Sequence, residues 1–141
     1  MNEKKELLVI DSKTVQNLIY TIRGQQVMLD SDLAELYGYE VKRLNEQVKR
    51  NINRFPEDFM FQLKLEEADN LKSHFATSSW GGKRKLPYAF TEQGIYMLAT
   101  VLRGELAEQQ SIYIMRAFRE MRHFLANNKL MFERIKSIEL K

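Results

Sequence analysis

The stretch Leu29 to Arg54, LDSDLAELYGYEVKRLNEQVKRNINR, reads as two short helices separated by a tight glycine turn, with a basic outer face on the second. In the first helix Leu33, Leu36 and Tyr37 recur at i, i+3, i+4, the spacing that gathers apolar side chains on one helical face. Ser31 is placed to cap its start, Asp30 and Asp32 sit where the helix dipole favours negative charge, and Gly38 supplies the permissive backbone that stops it. The second helix begins near Glu40 and is expected to bury Val41, Leu44 and Val48. That leaves Lys42, Arg43, Asn45, Glu46, Lys49, Arg50 and Asn53 on its remaining surface.

Working outward, Ile19–Ile22 and Gln26–Leu29 are rich in β-branched and apolar residues around Arg23-Gly24-Gln25, which predicts a β-hairpin turning at Gly24 and feeding the first helix. Val15 to Ile22 as a whole stays ambiguous, and Leu7 to Ile10 is apolar enough for a short strand. Pro56 ends the helical pattern at Phe55. Phe59, Phe61, Leu63 and Leu65 then alternate with Met60, Gln62 and Lys64, a strand signature. Leu65 to His74 is polar, with Ala68, Leu71 and the following Phe75 at the spacing of a short amphipathic helix. Ala76 to Pro87 is loop by composition, and Leu86 to Phe90 returns as a strand that pairs with Phe59 to Leu63. From Thr91, an N-cap, Ile95, Leu98, Ala99 and Leu102 define a helix ending at Arg103-Gly104, with a longer helix from about Glu105. The expected fold is α+β, a winged helix-turn-helix-like domain with small β-hairpins and a long C-terminal helix. Residues 1–18 are expected to form a lead-in, 19–126 the main domain, and 127–141 a helical extension.

In the last helix Ile114, Ala117, Met121, Phe124, Asn128, Met131, Ile135 and Ile138 follow alternating steps of three and four, a heptad seam with Asn128 at an a position. Two readings stand. Ile114 to Phe124 packs on the domain core, with Phe118 and Leu125 widening the stripe, while beyond Asn127 a coiled coil is favoured. Phe124, Asn128, Met131, Ile135 and Ile138 are the expected dimerisation residues. The pattern is still running at Lys141, as in a helix cut from a longer protein.

A chain of 141 residues with 44% hydrophobic content can bury one substantial core. It has no cysteine, which excludes disulfides and thiolate zinc sites, and no apolar run near the ~20 residues of a membrane helix. The N-terminus lacks the long apolar region of a secretory signal, so a soluble, cytoplasmic protein is expected. Net charge is only +3, yet Glu40 to Arg54 holds five basic residues against two acidic ones, and Lys83-Arg84-Lys85 adds three more. The remainder is slightly acidic, so the positive charge is concentrated in two places.

Chemistry is hard to find. His74 and His123 are far apart and lack partners with metal-ligand spacing, Gly81-Gly82-Lys83 lacks the rest of a phosphate loop, and Glu66-Glu67 sits on a polar helix that reads as a solvated face. No metal, cofactor or enzymatic activity is expected.

The helix pair has the spacing of a helix-turn-helix, whose second helix enters the major groove, where arginine or lysine can read guanine and asparagine adenine. Arg43, Asn45 and Glu46 are expected near base edges, with Lys42, Lys49 and Arg50 mainly on phosphates. Lys83, Arg84 and Lys85 form a basic wing, and Trp80 beside them either packs on the strands or touches DNA.

Several segments carry a family resemblance: Val27-Met-Leu-Asp-Ser-Asp-Leu-Ala-Glu-Leu-Tyr37, Leu44-Asn45, Val48-Lys-Arg-Asn51, Arg54-Phe-Pro-Glu-Asp-Phe59 and Phe61-Gln-Leu63. Further along come Gly81-Gly82, Leu86-Pro-Tyr-Ala-Phe-Thr-Glu-Gln-Gly94, Met97-Leu98 and Met115-Arg-Ala-Phe118. As an ordered set they resemble the ORF-six N-terminal domain, a relative of the KilA-N and Bro-N domains of phage antirepressors. The resemblance covers roughly Ile19 to Phe124. It implies a non-enzymatic module of prophages and mobile elements that recognises double-stranded DNA. A homodimer on two half-sites is expected, or else a protein-interaction module that binds a repressor or other regulator.

Overall fold

The computed structural model describes the backbone of residues 12–71 and 85–139, and the side chains of 14–71 and 85–129. The chain is α+β: a four-stranded antiparallel sheet with helices, the last of them long. A short helix α1 (Ser12–Gln16) precedes strands β1 (Tyr20–Ile22) and β2 (Gln25–Leu29). Arg23 and Gly24, with φ of 54° and 74°, make the two-residue loop between them, and Ile22 lies opposite Gln25. Positive φ at both loop residues matches the twist of the strands, which is why the turn falls at the glycine.

Helices α2 (Asp30–Tyr37) and α3 (Val41–Arg50) follow, joined through Gly38, which takes φ 74° and closes α2 with its N–H on the carbonyls of Ala34 and Glu35. Ser31 does not cap α2. The helix starts two residues earlier than that cap would place it, with Leu29 at the N-cap position, and the Asp30 carboxylate accepts the Ser31 N–H at 2.8 Å. Val41, expected inside, is 40% exposed, so the buried seam of α3 is Leu44 and Val48. After a 3-10 turn (Ile52–Arg54) buried Phe55 meets Phe90 edge-on at 6.0 Å, tying the end of α3 to the sheet.

Strand β3 (Met60–Gln62), helix α4 (Leu65–Asn70), strand β4 (Tyr88–Thr91), helix α5 (Glu92–Leu102) and helix α6 (Glu105–Glu139) complete the chain. Strand order is β1-β2-β4-β3, so the last strand in sequence lies inside the sheet, with Met28 and Met60 both opposite Phe90. The pairing of β4 with β2 joins the two predicted hairpins into one sheet. Both sheet faces are covered. Met28, Met60 and Phe90 face the main core with Leu33, Tyr37, Leu44, Ile95 and Ile114, whereas Val27, Leu29, Phe61 and Ala89 pack with Ala68 and Leu71 around α4. Adjacent Met60 and Phe61 are therefore both buried, and the expected inside-outside alternation of this strand does not hold. Glu67, expected to be solvated, pairs through both oxygens with Arg23, whose guanidinium lies 4.1 Å from the centre of the Phe61 ring.

Thr91 caps α5 as expected, accepting the Gly94 N–H at 3.3 Å while its hydroxyl donates to the Asp58 carbonyl at 2.8 Å. Helix α6 packs on α1, where Val15 is fully buried, and on α5. It is latched to α2 by the Gln110 side-chain amide donating to the Leu36 carbonyl and by a hydroxyl pair between Tyr37 and Ser111, both at 2.7 Å. Ile114, Ala117 and Phe118 belong to the core, so the first two positions of the heptad seam, Ile114 and Ala117, are spent inside the domain. Leu125 does not widen that stripe: it is 41% exposed, Phe124 beside it is 56% exposed, and every side chain from Arg122 to Lys129 is exposed. Among the described residues no helix is long and apolar enough to cross a membrane.

Candidate nucleic-acid interface

The α3 surface follows from two buried residues. At 3.6 residues per turn, with Leu44 and Val48 pointing inward, Glu46 lies opposite the buried seam, Lys42 and Lys49 flank it on one side, and Arg43 and Arg50 flank it on the other. All five side chains are exposed, as are Asn53 and Arg54 in the turn beyond. Among the described residues none of these cations makes an ion pair. Lys49 and Arg50 lie in the last turn of α3, where the helix dipole favours cations.

Asn45 is placed differently. It is half-buried on the flank of α3, and its amide donates to Asp30 Oδ2 at 2.9 Å. Asp30 is 5% exposed and also accepts the backbone N–H of Ser31 at 2.8 Å. Burial pushes its carboxyl above the ordinary range, opposed by those hydrogen bonds, that from Asn45 foremost. A sequence reading that sorts helix residues only as apolar or polar puts Asn45 outside with the lysines. The signal available was Asp30 itself, a carboxylate directly after the apolar run Val27 to Leu29 and hence in need of donors.

Lys85 is exposed, while Lys83, Arg84, Trp80, Gly81 and Gly82 lie outside the described residues, as do His74 and the expected strand Leu7 to Ile10. His123 is exposed on α6. Asn128 is exposed too, and the side chains of Met131, Ile135 and Ile138 lie outside those described. Among the described residues no group of three or more histidine or carboxylate side chains gathers to hold a metal.

Asp32, on the first turn of α2, has one carboxylate oxygen buried with no hydrogen-bond partner among the described residues. Burial, then the charges of Glu35 and Asp30, push its pKa up to about 6. The unfolded value is near 3.9, so folding favours the protonated acid. The penalty is absent below about pH 4, grows as the pH rises through 6, and is full above that. Asp32→Asn is therefore expected to stabilise the fold at pH 7 by about 1–2 kcal/mol, discounted for partial exposure. Urea titrations of parent and variant should converge at pH 4; a constant difference across that window would contradict the assignment.

A family model places the arrangement. The ORF6N domain model matches residues 17–101, more than half of the chain. The chain belongs to the ORF6N domain family. No curated protein and no solved structure matches it. The ORF6N match takes in the hairpin, α2, α3 and β4 and stops just before the end of α5, so the latch of Gln110 and Ser111 onto α2 comes from a helix beyond it.

Proposed function

We propose that this ORF6N chain is a non-catalytic, sequence-specific DNA-binding regulator of the phage or mobile-element type, in which α2 and α3 act as a helix-turn-helix and α3 enters the major groove. The observation that carries the proposal is the outer face of α3: four exposed cations without ion-pair partners among the described residues, around a single carboxylate, Glu46. The cations meet phosphates, and Arg43 can also read guanine. Glu46 at the crest can accept from the amino group of cytosine. The basic run Lys83 to Lys85 adds salt-dependent affinity without base information. The test is a mobility-shift titration with duplex DNA across a range of salt concentrations. Binding that weakens steeply with salt is expected, and no binding at low salt ends the proposal.

One α3 covers only a few base pairs, so two copies reading two half-sites is the economical arrangement. The exposed Phe124 and Leu125 on a helix that continues to Glu139 support a pairing through α6. Sedimentation of the full chain is expected to give a dimer and a version ending at Ala126 a monomer. Two monomers would remove the pairing.

A second reading, in which the chain acts on a repressor or another regulator, is favoured by an apolar groove of about 460 Å³ lined by Phe59, Tyr96, Met97 and Met115. Mutual binding of purified proteins without nucleic acid separates it from the first.

A further inference from the structure

The polar side chains of α3 are of two kinds. Leu44 and Val48 are smooth contacts that tolerate small rotations of the helix, whereas a hydrogen bond has direction. The bond from Asn45 to Asp30 runs from α3 to the start of α2, where Asp30 also accepts the Ser31 N–H. One buried carboxylate thus ties the first turn of α2 to α3. With its amide turned to Asp30, Asn45 is turned away from the crest at Glu46.

We infer that Asn45 is a positioning residue and not a base reader: through Asp30 it fixes the rotation of α3, so that Lys42, Glu46 and Lys49 form the outward face. The inference rests on the reading of α3 as a DNA-binding helix for its second test, but not for its first.

The first test is a thermal-unfolding cycle without DNA. Asn45→Asp sets two carboxylates against each other and is expected to lower the Tm by several degrees at pH 7, less at pH 4, where protonation relieves the repulsion. Adding Asp30→Asn restores a donor facing an acceptor, and is expected to recover at least half of the loss. If the two changes are simply additive, the strut does not exist. The second test is selection of duplexes from a random pool. Asn45→Ala is expected to select the same bases as the parent with affinity lowered about tenfold across all sequences, because the whole face is misaligned. Loss of preference at one base pair, with affinity for the rest retained, makes Asn45 a reader and overturns the inference. A parent that selects nothing ends the DNA reading, and the unfolding cycle then decides alone.

Discussion

Gly94→Ala is expected to cost the fold about 3 kcal/mol or more, the upper end of what overpacking does to a close-packed core. Any Cβ at position 94 would overlap the Phe59 carbonyl oxygen, and its neighbours there are backbone atoms that cannot rotate away. That carbonyl accepts the Thr91 N–H at 3.0 Å, while the Thr91 hydroxyl holds both the Gly94 N–H and the Asp58 carbonyl. Moving α5 to make room would therefore disturb the cap and the end of the β3–β4 ladder together. For a chain of this size the Tm should fall by roughly 10–15 °C. Thermal unfolding followed by circular dichroism reads it directly, and a change within about 2 °C would show that the helix start is not held as described. Gly24 makes a useful control: nothing lies within 4 Å of a Cβ there, so Gly24→Ala tests only the φ of 74°.

Replacing Lys42, Lys49 and Arg50 together by alanine is expected to reduce DNA affinity about 10²–10³-fold at 0.1 M salt and to lower the log–log salt slope by about 3, one for each phosphate that is no longer neutralised. All three side chains are exposed and make no ion pair among the described residues, so the Tm should stay near that of the parent. Glu46→Ala should behave oppositely. It removes the one negative charge of the face, tightening binding to duplexes in general while relaxing choice at a single base pair. Triple-variant binding with an unchanged slope would move the interface away from α3.

Elements punctuated by local chemistry were legible in the sequence. Gly24 marks the hairpin loop and Gly38 the end of α2, while Thr91 marks the start of α5, because left-handed backbone and hydroxyl caps demand particular residues. The exposed cations of α3 were legible for the same reason, since buried cations need partners. Long-range relations were not. Nothing in the neighbourhood of Leu29 states that it will lie opposite Ala89, and the burial of both sheet faces erased the alternation that periodicity relies on. Val41 and Asn45 are the matching errors on α3. A seam defined by two residues, Leu44 and Val48, leaves the helix phase undetermined by tens of degrees, enough to exchange a flanking valine for a half-buried asparagine. Position in the sequence marks Asp30 as a dipole partner, whereas its stronger role is as a buried acceptor for the Ser31 N–H and the Asn45 amide.

The position of β4 inside the sheet also sets an order of events during synthesis. The β1–β2 hairpin and β3 are complete when residue 62 has been made, yet they share no pairing with each other; both wait for Tyr88 to Thr91. Until that strand leaves the ribosome, β2 has an unpaired edge whose Val27, Met28 and Leu29 are all destined for the core. At translation rates of about 5–20 residues per second, the 25 positions between Gln62 and Tyr88 hold the nascent chain open for a second or more. Arrival of β4 therefore joins both halves of the sheet at once, before α5 and α6 add their side of the main core.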